Sequence, residues 1–272
     1  MKTKKFLAIL MAALMLFALS ACGGKDEEKK DEASGDLLEA IKAKGELTIA
    51  TEGTWAPWTY HDESDTLVGY DVEVATLIAE ALGVKANFVE GEWDGLLAGL
   101  EAGRYDIMAN GVDMTPERQE KYEFSEPYAY NRMAVIVRGD DDSIKTMEDL
   151  SGKQTANTIS STYAEVAEKY GATVTGVDDL NQTMELLISG RIDATLNAEV
   201  TFYDYLASHP DADIKIATLD SEATSVGIPM PKGEGSASLV EAVNEALQDL
   251  AESGKLKELS EKYFGTDISS NN

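Results

Sequence analysis

The residues most able to do chemistry lie in the segment ANGVDMTPERQ, residues 109–119. Thr115 followed by Pro116 makes a favourable N-cap and N1 pair, which predicts that a helix begins there. Arg118 then falls in the first turn, where the partly positive amide end disfavours a cation unless an anion lies close by. The pattern indicates an anion-binding arginine. The alternatives are an ion pair with Asp113 or Glu117, or a side chain that points into water.

The flanking sequence predicts alternating strands and helices that would position this segment. GELTIAT at 45–51 has strand character, and YDVEVATLIAEALG at 70–83 repeats apolar residues at helical spacing before a glycine. A helix at about 94–102 and a strand through 107–108 follow, and 238–265 predicts two helices separated by a glycine. Such alternation indicates an α/β fold.

One unit of this pattern occurs twice. LEAGRYDIMAN at 100–110 matches LISGRIDATLN at 187–197 in its Leu, Gly, Arg, Asp and Asn positions. The match predicts two α/β lobes that contain related units. Because ligands bind at the carboxyl ends of strands in such sheets, ANGVD and the later segment NTISST are expected to face one cleft.

Two extended apolar segments bounded by glycine, YNRMAVIVRG (130–139) and SVGIPMPKG (225–233), predict strands that pass from one lobe to the other. The chain would leave the first lobe near residue 131 and return near residue 226. The predicted domains are a first lobe at 36–131 plus 226–272 and a second lobe at 132–225.

Residues 1–21 predict a signal peptide, because basic Met1–Lys5 precedes an apolar stretch, Phe6–Leu19, that is too short to span a bilayer. The sequence LSAC, which ends at Cys22, resembles the lipobox of bacterial lipoproteins. The resemblance implies that Cys22 is diacylated (palmitate) and becomes the mature N-terminus, and two acyl chains anchor stably. Residues 22–35 then predict a flexible tether. The protein is expected outside the cytoplasm, lipid-anchored to the bacterial cell membrane, with no other contact to the membrane.

The composition narrows the function classes further. With 50 acidic and 23 basic residues, the net charge of the 272-residue chain is −27, which argues against nucleic acid as a partner. His61 and His209 are far apart and have no cysteine nearby, so no metal site is predicted. Neither a phosphate-binding glycine motif nor a serine elbow is present, and no cofactor is expected.

Several blocks of the sequence resemble the polar amino-acid family of extracytoplasmic solute-binding proteins (family 3), the receptors of ABC importers. These blocks are GTWAPWTY, LVGYDVEVA, WDGLLAGLEAGRYDIMANGVDMTPERQEKYEFSEPY, LSGKQTANTISSTY and LKELSEKYFG. The resemblance runs from about residue 37 to 266. It implies a two-lobed periplasmic-binding-protein-like (type II) α/β fold with two crossover strands, and lobes that close on a ligand. It also implies a monomer without enzymatic activity that binds an amino acid and works with an ABC permease and an ATPase.

The resemblance assigns Arg118 to the ligand's α-carboxylate, which a planar guanidinium grips through two parallel hydrogen bonds. Two positions depart from the family pattern. Asp113 stands where most relatives have Thr or Ser, and Ala198 stands where many place the aspartate that binds the α-ammonium. We interpret this as relocation of the ammonium contact to Asp113. The alternative is that Asp113 only neutralises Arg118 in the empty cleft while Glu199 binds the ammonium.

Four further positions are expected near the ligand's head group. Thr162 matches a residue whose backbone amide reaches the carboxylate from the second lobe, and Ser161 precedes it; a plain helix cap is the alternative. Gly111, with Val112 after it, would let the backbone approach the ligand, although a simple turn glycine explains it equally.

The side-chain end of the ligand is less determined. Trp55 and Trp93 align with aromatic rings that sandwich the ligand's side chain, and core packing is the alternative for each. Glu52 aligns with an acidic position found in relatives for cationic amino acids and in cystine-type relatives. Cystine, arginine, lysine and glutamine all remain candidates at this point.

Two other functions fit the same residues. A sensing subunit would signal through a partner instead of delivering the ligand. A dehydratase on the same fold would use Asp113 and Glu199 as a general acid and base across the cleft.

Overall fold

The computed structural model describes residues 35–271. The predicted signal peptide, Cys22 and all of the predicted tether except Gly35 lie outside this range. Within it, no helix is both long enough and apolar enough to cross a membrane.

Helices and strands alternate along the chain, and the elements predicted at 45–51, 70–83, 94–102 and 238–265 are confirmed. The helices are α1 (Leu37–Lys44), α2 (Tyr70–Ala81), α3 (Trp93–Glu101), α4 (Pro116–Lys121), α5 (Thr162–Lys169), α6 (Leu180–Ile188), α7 (Glu199–Ser208), α8 (Ala237–Glu252), α9 (Lys255–Phe264) and a 3-10 turn at Met147–Leu150. The strands are β1 (Glu46–Thr51), β2 (Thr54–Trp55), β3 (Thr59–His61), β4 (Leu67–Val68), β5 (Lys85–Glu90), β6 (Ile107–Met108), β7 (Tyr122–Phe124), β8 (Ala129–Asn131), β9 (Met133–Arg138), β10 (Gln154–Asn157), β11 (Thr173–Gly176), β12 (Ala194–Ala198), β13 (Ile214–Leu219), β14 (Thr224–Val226) and β15 (Pro229–Pro231).

The first lobe is built on a parallel sheet of order β5-β1-β6. Strand β1 is buried over most of its length, and helices α2, α8 and α9 supply apolar residues to the core beside it. Because the strands are parallel, their carboxyl ends meet at one edge, where the loops after β1 and β6 begin. A small antiparallel sheet, β2-β3-β4, extends the loop after β1.

The second lobe is built on a mixed sheet of order β11-β10-β12-β9-β13, in which β9 runs antiparallel to both neighbours. Side chains of β9 alternate between the two faces: Val135 and Val137 belong to one apolar cluster, and Ala134 and Ile136 to the other. The central position of β9 explains why MAVIV is an unbroken apolar run, since both of its faces are covered.

The two segments predicted to cross between lobes lie side by side. Strand β8 pairs antiparallel with β14, from Ala129 opposite Val226 to Asn131 opposite Thr224. Strand β7 pairs in the same way with β15. The molecule has the two-lobed periplasmic-binding-protein-like fold, with crossover strands joining the lobes; where each lobe begins and ends stays a prediction.

The sequence repeat has a structural counterpart in each lobe. Gly103 and Gly190 follow the helices α3 and α6 with φ of 70° and 71°. Each glycine is followed three residues later by an aspartate that binds the neighbouring strand. The Asp106 carboxylate accepts the main-chain N–H of Thr48 in β1 at 2.7 Å, and the Asp193 carboxylate accepts the main-chain N–H of Gln154 in β10 at 2.8 Å. In both copies of the repeat, the same glycine-to-aspartate spacing therefore joins a helix end to a sheet through the same kind of hydrogen bond.

Candidate functional site

A cavity lies where the carboxyl ends of β1 and β6 face those of β10 and β12, which is where ANGVD and NTISST were expected to meet. It encloses about 590 Å³ of space, including its open mouth. The lining residues are Glu52, Thr54, Trp55, Trp93, Gly111, Asp113, Arg118, Asn157, Thr158, Ser161, Thr162, Tyr163, Asp179, Leu180, Thr183 and Asn197.

Arg118 is a buried cation without a carboxylate partner. Helix α4 begins as predicted, with Thr115 as the N-cap that accepts the Arg118 main-chain N–H at 3.2 Å. The guanidinium donates to the main-chain oxygens of Asp113 and Ser160, at 3.2 and 3.3 Å, and lies 5.2 Å from the centre of a Trp93 ring. Over residues 35–271 it forms no ion pair, and its other N–H groups are free for an anion.

Asp113 supplies the negative charge beside this cation. Its side chain is buried, and one carboxylate oxygen accepts the Thr162 hydroxyl at 2.5 Å. The other oxygen has no hydrogen-bond partner. Burial raises the pKa of Asp113, an effect that the Thr162 hydroxyl and the positive charge of Arg118 oppose. A buried acceptor of this kind is unfavourable until a donor reaches it.

Two tryptophans form the aromatic wall. The Trp93 indole N–H is buried and has no acceptor among the described residues. Trp55 stacks on Trp58, with ring centroids 5.4 Å apart, and Trp58 is fully buried and donates to the Thr201 hydroxyl at 3.2 Å. Gly111 adopts φ of 55°, and a Cβ atom there would lie only 2.6 Å from the Trp55 ring. Glycine at 111 is therefore required by its backbone conformation and by the packing of Trp55.

Glu52 faces the cavity from the loop after β1. Its side chain accepts the Asn110 amide at 2.6 Å, and the oxygen of the same amide accepts the Glu52 main-chain N–H at 2.7 Å. Burial raises the pKa of Glu52 to about 7, the Asn110 hydrogen bond opposes this rise, and the negative charges of Asp179 and Asp94 add to it. Glu52 thus titrates near neutral pH and is sensitive to any charge that enters the cavity.

Comparison with known protein families identifies the family to which the chain belongs. The family model described as "Bacterial extracellular solute-binding proteins, family 3" matches residues 47–266. The chain belongs to this family.

Relatives of this family 3 protein include receptors for different amino acids. It is 41% identical over 269 residues to the L-cystine-binding protein TcyA of Bacillus subtilis (strain 168), covering 98% of this chain and 99% of the relative. Among solved structures, the L-cystine solute receptor of Neisseria gonorrhoeae in its unliganded open conformation is 42% identical, with a TM-score of 0.59 over 87% of this chain and all of that one. An ancestral arginine-binding protein bound to arginine is 34% identical, with a TM-score of 0.76 over 81% of this chain and 99% of that one.

Most predicted site residues of this family 3 chain line the cavity, but two do not. Val112 is fully buried in an apolar cluster with Trp93, away from the lining. Glu199 begins α7, and one of its carboxylate oxygens accepts from Arg132 at 2.7 and 2.9 Å. Ser161 and Thr162 line the cavity, and Ser161 is also the N-cap of α5.

The sequence analysis found Ser161 and Thr162 but missed four other polar residues of the second lobe. Asn157, Asp179, Thr183 and Asn197 all line the cavity. The repeat held a usable signal for Asn197, because its counterpart Asn110 also lies at the site, bound to Glu52. Asn157 belongs to NTISST, the segment expected to face the cleft, although it was not named as a site residue. Asp179 and Thr183 carry no local mark, since the packing of α6 against β10 brings them to the cleft.

A buried carboxyl group, that of Asp71, holds the loop that contains Gly111. The Asp71 side chain, fully buried at the start of α2, accepts the Gly111 main-chain N–H and the Tyr128 hydroxyl, each at 2.5 Å. Burial raises the pKa of Asp71 to about 7, and the two hydrogen bonds oppose the rise. Asp71 therefore connects the cavity-lining loop that contains Gly111 to Tyr128, which precedes strand β8.

Over residues 35–271, no group of three or more His, Cys, Asp or Glu side chains is placed to hold a metal ion.

Proposed function

We propose that this protein is the extracytoplasmic receptor of an ABC importer, which captures a free polar amino acid between its lobes and delivers it to a permease and its ATPase. One observation carries the proposal. Arg118 is a buried cation with free N–H groups, and Asp113, five residues away, has a buried carboxylate oxygen without a partner. A cation and an anion offered from one loop match the carboxylate and the ammonium of an amino acid.

L-Cystine is the first candidate ligand. The support comes from the relatives, since two of the three named above are L-cystine receptors at 41% and 42% identity. A cationic amino acid such as arginine is the second candidate. The carboxylates of Glu52 and Asp179, which line the same cavity, favour it, as does the arginine-bound ancestral relative.

The proposal includes the lipid anchor and the tether predicted at the N-terminus. Acyl chains on Cys22 would hold the receptor at the cell membrane as a monomer, with residues 22–35 as the tether. Labelled palmitate should be incorporated into the wild-type protein, and Cys22→Ala should abolish this labelling and release the protein from the membrane fraction.

Two alternative functions, a sensing subunit and a dehydratase, can be distinguished from the receptor by experiment. A sensing subunit would bind the same ligand, but deletion of its gene would leave uptake unchanged. A dehydratase would convert its ligand. In this structure Glu199 is paired with Arg132 outside the cavity lining, which leaves Asp113 without the partner that the dehydratase hypothesis requires. Recovery of the bound amino acid unchanged would support the receptor.

A thermal-shift screen of the L-amino acids and L-cystine tests the proposal directly. A ligand present at a hundred times its Kd stabilises the folded protein by about 2.7 kcal/mol, which moves the melting temperature visibly. At least one polar amino acid should do this. If none shifts the melting temperature, the proposed function is wrong.

A further inference from the structure

Asn157, at the carboxyl end of β10, lines the cavity and holds a buried amide oxygen. The side chain is only 3% exposed, and its NH₂ group donates to the main-chain oxygen of Leu196 at 2.7 Å. This hydrogen bond fixes the orientation of the amide, so that the oxygen is the free end. That oxygen has no partner, although it is buried, and Asn157 lines the cavity. The second lobe therefore holds an unsatisfied acceptor that calls for an N–H or O–H donor.

Asp179 lies on the same wall. Strand β11 pairs with β10 so that Gly176 is opposite Asn157, and Asp179 follows at the start of α6. Its carboxylate caps this helix by accepting the Gln182 main-chain N–H at 3.0 Å, and it also accepts the Gln182 side-chain amide at 3.3 Å. Among the described residues no Lys, Arg or His forms an ion pair with it, so its negative charge is not neutralised.

Glu52 approaches from the first lobe. One of its carboxylate oxygens accepts the Asn110 amide, and no cation of the described range pairs with it either. The negative charge of Asp179 acts on Glu52 and raises its pKa, which means that the two acids are close enough to repel each other. Two acidic side chains and a lone amide oxygen thus line one partly desolvated space.

These groups share one chemical property, because each offers acceptor oxygens. A neutral amide side chain has no charge to offset the repulsion between the acids, whereas a cationic nitrogen donates to the oxygens and separates the carboxylates. We propose that Asn157 and Asp179 form, opposite Glu52, a subsite for a second cationic nitrogen, so that the ligand is an amino acid with a cation at each end. This inference rests on the proposed function and deepens it.

Three candidate ligands meet this requirement, and each can be compared with an analogue that lacks the distal positive charge. The distal nitrogen is an ammonium in L-cystine and L-lysine and a guanidinium in L-arginine. L-Citrulline has the shape of arginine without its charge. S-(2-carboxyethylthio)-L-cysteine has the skeleton of cystine without one ammonium. L-Norleucine lacks the distal ammonium of lysine.

The test is calorimetric titration of the purified protein with each pair, which gives the ratio of the two affinities. The wild-type protein should prefer the dicationic member of at least one pair by about tenfold or more, as expected for a hydrogen-bonded charge. Asp179→Asn should reduce this ratio about tenfold while the helix cap is retained, because asparagine caps as well as aspartate does. The matched control is Asp178→Asn, an exposed acid on the preceding residue, which should leave the ratio within about twofold.

Asn157→Ala provides a second readout that a loss of stability does not mimic. Both members of a pair meet the same scaffold, so a ratio that falls reports on the distal nitrogen, not on folding. Ratios near one in the wild-type protein, or equal falls in the Asp178 and Asp179 variants, would overturn the subsite. If no amino acid binds the wild-type protein at all, the proposed function fails and the subsite fails with it.

Discussion

The Thr162 hydroxyl of the second lobe donates to the Asp113 carboxylate of the first lobe at 2.5 Å, directly across the cleft. Ser160 adds to this contact on the same rim, where its main-chain N–H donates to Asp94 at 3.2 Å. Hydrogen bonds that exist only when the cleft is shut bias the two-state equilibrium of the lobes towards closure. The cross-cleft contacts therefore connect ligand affinity also to Ser160 and Asp94, which do not line the cavity.

Thr162→Val keeps the shape of the side chain but removes this hydrogen bond. We expect the ligand affinity to fall about tenfold, mainly through faster dissociation, because a buried charged acceptor loses a donor. Surface plasmon resonance measures both rates. Thr175→Val, at an exposed position of β11, is the matched control and should change neither. Tighter binding by Thr162→Val would instead show that Thr162 competes with the ligand for Asp113.

Asp113→Ala should reduce binding far more than Glu199→Ala. Asp113 has a carboxylate oxygen without a partner, which we propose binds the ligand's ammonium, whereas Glu199 is paired with Arg132. Loss of a charged hydrogen bond in a buried site corresponds to about tenfold to a hundredfold in Kd. Calorimetric titration of both variants measures this difference, and the reverse order would defeat the relocation of the ammonium contact.

Arg118→Lys preserves the charge but not the planar, forked arrangement of donors. We expect a loss of affinity of about a hundredfold or more, because lysine cannot form two parallel hydrogen bonds with the ligand's carboxylate. The control is Arg104→Lys, an exposed arginine, which should bind normally. Near-normal affinity in Arg118→Lys would show that the carboxylate is held elsewhere.

Binding of a ligand with a distal cation should release a proton near neutral pH. The pKa of Glu52 is about 7 in the free protein, and a cationic nitrogen beside it lowers that value. Affinity should therefore increase as the pH rises towards 7 and level off above it, where Glu52 is already ionised. Calorimetry at pH 7 in buffers of different ionisation enthalpy measures the proton. Glu52→Gln should abolish the release; an unchanged proton count in that variant would contradict the assignment.

Asp71 should make the fold less stable as the pH rises. Its pKa increases from 3.8 to about 7 on folding, so between these values the native state holds a proton that the unfolded state has lost. The free energy of unfolding then decreases with pH, by at most about 1.4 kcal/mol per pH unit from this group. Urea unfolding of Asp71→Asn between pH 4 and 7 should give a flatter curve than wild type, although Glu52 leaves some slope.

The matched control for that measurement is Asp211→Asn, since Asp211 is an exposed loop acid. Its unfolding curve should follow that of the wild type at every pH. If the Asp71 variant also runs parallel to wild type, the Asp71 carboxyl group does not titrate in this range.

The start of α4 and the internal repeat could be predicted from the sequence because both depend on residues that are close together in the chain. The start of α4 follows from the cap formed by Thr115 and the ring of Pro116, and Arg118 enters the site because it lies in that first turn. The repeated Leu, Gly, Arg, Asp and Asn pattern indicated two related units for the same reason, since a helix end and the strand after it need those residues at fixed spacing.

Which polar atoms are left free was decided by the tertiary structure. Asn157 and Asn197 are the same residue type at two strand ends, yet the Asn197 oxygen accepts the Ala198 N–H while the Asn157 oxygen has no partner. Asp71 reaches Gly111 across 40 residues, and Arg132 occupies Glu199 across 67. The hydrogen bonds of Asp71, Glu199 and the Asn157 NH₂ group join residues that are distant in the chain, and residue type and spacing cannot specify such partners before the strands and helices have packed.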